Sequence, residues 1–244
     1  MKPLSRIADN PRSSREARVD LALTTLLAVQ CLTLFVALPL GNMFAHAHML
    51  MDLCHLTFAA VCVAVLTRHR GMQATLLAGL ALIALGPIGG ERFAMSLGLT
   101  ETNVHDLIAL VAFTFNGLVT LLVGRHVFGA DRVTASRIQG AVLVYLNIAA
   151  LFGIVYSALE AHVPGAIVMM GGALPSVRGA QAATMTYFSL ATITTTGYGD
   201  FIPVHPLARS LANFEAVLGQ LYPATMIARL VALHLDHAKD RREP

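Results

Sequence analysis

Residues 192–200 read TITTTGYGD, a polar stretch broken by two glycines in a chain that is otherwise strongly apolar. Of the 244 residues, 56% are hydrophobic and 13% charged, and the mean hydropathy is +0.66. A soluble domain of this length needs more charge than that to cover its surface, so the composition is that of a membrane protein. The net charge of +3 is modest, and no basic run carries the aromatic interleaving of a nucleic-acid site, so no nucleic-acid partner is expected. Cys31, Cys54 and Cys62 fall in apolar stretches, which argues against a disulfide framework. No phosphate-cradling loop or nucleophile–base arrangement occurs, so neither an organic cofactor nor an enzymatic activity is expected.

Working outward from the stretch, runs of about 20 apolar residues fall at 19–40, 50–67, 73–90, 104–124, 138–158 and 208–235. They predict an all-α membrane protein of six transmembrane helices. Between the fifth and sixth runs lies a segment of different character, 159–207, rich in Gly, Ala, Thr and Pro, and TITTTGYGD sits inside it. Fourteen of the 17 basic residues flank the runs on one side; only Arg92, Arg178 and Arg209 fall on the other. That asymmetry puts both termini in the cytoplasm and residues 159–207 outside. The AHA at 45–47 resembles a signal cleavage site, but the apolar stretch before it is longer than a signal's hydrophobic region, so the first span is expected to be retained.

Residues 181–194, QAATMTYFSLATIT, suit a half-helix too short to cross a bilayer, which enters from outside and stops partway. The chain must then return through TTGYGD in extended form, and non-helical backbone at membrane depth is tolerated where it lines a water- or ion-filled cavity. A dehydrated cation needs oxygen ligands, which a row of inward-turned backbone carbonyls supplies. Successive carbonyls point one way only if alternate residues take dihedrals hostile to ordinary side chains, which Gly197 and Gly199 permit. The Thr195 hydroxyl adds one more oxygen at the inner end. A cation is therefore the bound species this segment is expected to hold.

Thr194 to Asp200, TTTGYGD, resembles the selectivity filter of tetrameric potassium channels, usually written TTVGYGD. The resemblance extends to Tyr187 and Phe188, where that family places an aromatic cuff on the pore helix, to Gly219, at the usual place of a hinge glycine, and to EAVLGQLYPATMIARLV at 215–231, which is similar to the inner helix of small bacterial members. Thr196 departs from the family, which commonly has Val there. The resemblance implies a potassium-selective channel, a homotetramer in the lipid bilayer of a bacterial inner membrane, with four subunits around one pore. It also implies a division into a cytoplasmic tail (1–18), a four-helix membrane domain (19–134), a pore domain of outer helix, reentrant pore helix, filter and inner helix (135–236), and a short tail (237–244). The fourth run lacks arginine and lysine, so gating by moving arginines is not expected. With tails this short, regulation by a soluble sensing domain is not expected.

Further residues are assigned on this basis. Thr195, Thr196, Gly197, Tyr198 and Gly199 are the expected K⁺ ligands. Thr194, Asp200, Tyr187, Phe188 and Glu215 are expected to support the filter or its outer mouth, Glu215 either through threonines behind it or as a satisfied structural contact. Gly219 reads as a hinge or a close-packing position, and Gln220, Pro223 and Ile227 share a helical face that should line the inner cavity. Pro223 should kink its helix. Asp52 and Asp106, near the outer ends of the second and fourth runs, lack an obvious cationic partner, and nearby histidines are the candidates. His46, His48, Asp52 and His55 cluster at an outer helix start, as a metal site or as proton sensors. Two alternatives remain open: a non-selective cation channel, and a membrane metal- or haem-binding redox protein using His46, His48 and His55.

Overall fold

The protein is described by a computed structural model, which covers residues 11–41, 53–54, 57–58, 60–62, 101–129, 135–172, 174–175 and 178–240. In chain order these form α1 (Pro11–Leu32), a π-helical turn (Thr33–Ala37), α2 (Leu38–Gly41), α3 (Glu101–Phe128), α4 (Ala135–His162), β1 (Ile167–Met169), α5 (Arg178–Ile193), β2 (Phe201–Pro203) and α6 (Pro206–Asp240).

Three helices among the described residues are long and apolar enough to cross a membrane: Val19–Leu40, Asp106–Phe128 and Ser136–His162. They coincide to within a few residues with the runs at 19–40, 104–124 and 138–158. Most of the runs at 50–67 and 73–90 lies outside the described residues. The run at 208–235 falls within α6, which is 35 residues long but is not among the three. Arg209, Glu215, Gln220 and Arg229 interrupt its apolar residues, so length alone qualifies it.

Two cores hold these elements. The first joins Leu23 and Leu26 of α1, Phe58, Cys62, then Val119 and Val123 of α3 and Leu143 of α4, all shielded from solvent. The second gathers Tyr156 of α4, Ile167 of β1, Met185 and Phe188 of α5, and Ala208 and Ala212 of α6. α5 therefore lies between α4 and α6, and it reaches α4 closely because Gly153 has no side chain: a Cβ there would stand 2.9 Å from the Thr186 Cα.

The expectation of a purely helical chain is corrected in one place. β1 and β2 pair antiparallel, with Ile167 opposite Pro203, Val168 opposite Ile202 and Met169 opposite Phe201. The physical reason lies in local composition: β-branched Ile167, Val168 and Ile202 favour a pleated pair, and three residues are too short a run to show period-2 alternation. The ribbon is extended by Met170 N donating to Asp200 O at 2.8 Å, and Ala166 O accepts from Val204 N and His205 N. Chain leaving TITTTGYGD is thereby stapled to chain leaving α4.

Candidate functional site

α5 is 16 residues long, about 24 Å at 1.5 Å per residue. It ends at Ile193, and Thr194 to Asp200 continue without helix or strand. The turn out of α5 is made by its own last carbonyls: Thr195 N donates to Thr192 O at 2.9 Å, while Thr196 N and Gly197 N both donate to Ala191 O, at 2.9 and 3.1 Å. Thr195, Gly197 and Gly199 have φ of +56°, +55° and +80°. The alternation is thus carried by two glycines and one threonine, and Thr195 holds a conformation that costs a side chain of order 1 kcal/mol. Among the described residues, the carbonyl oxygens of Thr195 to Gly199 accept no hydrogen bond from backbone or side chain.

The threonine hydroxyls are ordered. Thr194 Oγ1 donates to Leu190 O at 2.6 Å and lies 2.8 Å from Thr196 Oγ1. A hydroxyl has one hydrogen, so Thr196 is the donor in the second bond, and the two form a relay ending on α5. Thr195 Oγ1 donates to Thr194 O at 2.7 Å and accepts from Gln220 Nε2 at 2.9 Å, which ties α6 to the start of the segment.

At the far end Tyr187 donates its hydroxyl to Asp200 Oδ2 at 2.8 Å, and its ring stacks on Tyr198 with centroids 6.1 Å apart. Phe201 meets the same ring edge-on at 5.7 Å. Phe188 does not join this group. It is buried against Tyr156 at 4.9 Å, because adjacent residues on a helix point about 100° apart. The expected cuff of Tyr187 and Phe188 is divided between two faces of α5.

Of the two readings of Glu215, the structure shows the structural contact. Its carboxyl is fully buried and bonded to Tyr156 of α4 and Ser189 of α5, not to threonines. Thr184, Thr186, Thr192 and Thr194 use their hydroxyls on carbonyls of α5 itself, four residues back. One turn beyond Glu215, Gly219 faces the end of α5. A Cβ there would lie 1.8 Å from Ile193 O, so close packing is a requirement at this position. α6 continues as one helix through Gly219 and Pro223. Gln220, Pro223 and Ile227 are all exposed in the single chain.

Several partners have no counterpart in the reading of the sequence. Tyr145 donates to Ile193 O at 2.9 Å, and Tyr222 to Ala141 O at 2.8 Å. Arg229 donates to Phe128 O, the last residue of α3, and its guanidinium lies 5.2 Å from the Phe128 ring centre. Asp106 does find a histidine: His162 Nε2 is 3.3 Å from its Oδ2, joining the start of α3 to the end of α4. His46, His48, Asp52 and His55 lie outside the described residues, and among the described residues no three His, Cys, Asp or Glu side chains gather as a metal set.

Residues 141–234 match the family model described as ion channel, a segment that begins early in α4 and runs through α5, Thr194 to Asp200 and most of α6. The match supports an ion channel of the potassium channel superfamily, a non-enzymatic class that assembles as oligomers in membranes. Together with the three apolar helices, it fits an integral membrane protein. Neither the curated proteins nor the solved structures give a match to this chain.

Proposed function

We propose, on the premise that residues 141–234 are an ion channel domain of the potassium channel superfamily, that this chain conducts K⁺ passively through Thr195, Thr196, Gly197, Tyr198 and Gly199. One row of carbonyls cannot enclose an ion, so in this reading four copies meet around a common axis and their oxygens replace the water of a dehydrated cation. The observation that carries it is the backbone of Thr195 to Gly199. Its alternate residues have positive φ, and its carbonyls accept no hydrogen bond among the described residues. A surface turn of the same composition has no need of five free acceptors in a row.

The surrounding parts suit the same role. α5, at about 24 Å, is shorter than the roughly 30 Å hydrocarbon core and fits a reentrant helix entering from outside. α6 is the sixth span of this reading; its mixed polarity fits a helix with one face on water and the other on protein. Gln220, Pro223 and Ile227 form the wet face. Asp200, fourfold at the outer mouth, concentrates cations there. Tyr198 is 70% exposed in the single chain, beside an open, mostly apolar hollow of about 580 Å³ that Leu34, Phe35 and Leu190 help to line. Neighbouring copies would cover such surface. Six spans, cytoplasmic termini and a bacterial inner membrane complete the proposal, and with no arginine or lysine in residues 104–124, voltage does not gate it by arginine movement.

The test is a K⁺-driven flux assay on protein reconstituted in vesicles, with Gly197→Ala and Tyr198→Ala as controls. Flux in the parent that both substitutions abolish is the expected result. Flux that survives both contradicts the assignment of the ion path.

A further inference from the structure

Where α6 meets α4 and α5, a carboxyl is buried with no counter-charge among the described residues. Glu215 has no exposed surface, and that burial is complete within one chain. Its Oε2 accepts the Tyr156 hydroxyl at 2.7 Å, and its Oε1 is bonded to Ser189 Oγ. The same Ser189 Oγ lies 2.7 Å from Ala149 O.

The hydrogens in this cluster can be counted. Serine and tyrosine hydroxyls each carry one, and a backbone carbonyl carries none. Ala149 O can only accept, so the Ser189 hydrogen goes to it. The bond between Ser189 Oγ and Glu215 Oε1 then needs a hydrogen from the carboxyl itself. With Glu215 protonated, the sequence runs from Tyr156 to Oε2, and from Oε1 through Ser189 to Ala149 O, each hydrogen used once. An ionised Glu215 leaves two acceptors, Oε1 and Ala149 O, competing for the one Ser189 hydrogen.

The surroundings agree with the count. On α4 the titratable groups toward Glu215 are Tyr156 and Tyr145, the latter bonded to Ile193 O. α5 contributes Ser189. On α6 itself, Arg209 is engaged with Pro203 O and Arg229 with Phe128 O. Among the described residues no Lys, Arg or His pairs with the carboxyl. A buried carboxylate without a cation is the costly case; a neutral acid with paired hydrogens is not.

We propose that Glu215 works as a neutral carboxylic acid, a proton-bearing strut that fastens α6 to α4 and α5 and thereby positions the backbone of Thr194 to Gly199. It is a positioning residue, one helical turn from Gly219 and its contact with the end of α5. The functional part rests on the ion-path reading of that backbone, whereas the protonation state does not. Because the strut needs the proton, it is intact at neutral pH and fails as pH rises.

Two measurements test it. Infrared spectra of the reconstituted protein at neutral pH should show a protonated-carboxyl C=O band that Glu215→Gln removes; its absence, or its persistence in the variant, overturns the proposal whether or not the protein conducts. Flux is the second. Glu215→Gln, whose amide can donate to Ser189 and accept from Tyr156, should keep near-parental flux and resist alkaline conditions in which the parent declines. Glu215→Ala, which orphans the Tyr156 hydroxyl and takes from Ser189 the hydrogen it accepts, should fall about tenfold. Loss of flux in Glu215→Gln with its assembly intact, or equal alkaline decline in parent and variant, overturns the positioning role. A parent that conducts no K⁺ at any pH contradicts the ion-path reading instead, and the infrared result still decides the proton.

Discussion

Thr196 stands where the filter sequence it resembles commonly has valine, and its hydroxyl accounts for the difference. It donates to Thr194 Oγ1, which donates in turn to Leu190 O, so the residue adds a bond between the extended segment and α5 that valine cannot make. The side chain is used on the Thr194 hydroxyl, within the segment, and not as a carbonyl substitute. Thr196→Val should therefore keep K⁺ flux while lowering the protein's thermal stability by about 0.5–1.5 kcal/mol, the usual net worth of one hydrogen bond. Parallel flux and melting measurements check this; lost flux at unchanged stability would place the hydroxyl on the ion path instead. Gly197 and Gly199 were legible at this scale from sequence, because positive φ is what glycine is uniquely suited to. Thr195 was not legible in the same way, since nothing in its composition announces a left-handed backbone; the hydrogen bonds to α5 and from Gln220 hold it there.

Among the elements, the contact between α5 and α6 matters most. Gly219 read equally as a hinge or as a packing position, and the structure gives it a packing partner: a methyl there collides with Ile193 O, the carbonyl to which Tyr145 also donates. Gly219→Ala should thus displace the end of α5, costing about 3 kcal/mol and abolishing flux together with assembly, as seen by size-exclusion chromatography in detergent. A pure hinge predicts the contrary, normal assembly with altered open times. At the other end of α6, Arg229 caps the last carbonyl of α3 and lies over the Phe128 ring. Arg229→Ala should loosen this joint at a cost of about 1 kcal/mol, changing open probability in single-channel records while leaving assembly intact. Unchanged opening would separate the joint from gating. Arg229 was visible in the sequence only as a cytoplasmic charge. Its partner carbonyl lies 101 residues away, beyond the reach of any local pattern. Tyr156 and Ser189 escaped notice for the same reason, although Glu215 in an apolar helix was itself a sign that hydroxyl partners were to be found.

For the molecule as a whole, the sequence was most informative where physics is one-dimensional. Apolar runs marked the spans Val19–Leu40, Asp106–Phe128 and Ser136–His162 to within a few residues because a bilayer demands uninterrupted length. The ribbon of Ile167–Met169 with Phe201–Pro203 was missed because pairing across more than 30 residues leaves no trace in strands this short. Phe188 was misplaced because a resemblance aligns positions without giving the rotation of a helix about its axis. The parts nonetheless converge: β1 and β2 hold the C-terminal end of Thr194 to Asp200, Gln220 and Gly219 hold its N-terminal end with the end of α5, and Glu215 fixes α5 from behind. All serve to keep one short backbone in one conformation. The most direct test of that claim is the K⁺ over Na⁺ permeability ratio of the purified protein in planar bilayers, with Gly197→Ala beside it. The account predicts currents that strongly favour K⁺ in the parent and no selective current in the variant; a parent that passes both ions equally would contradict it.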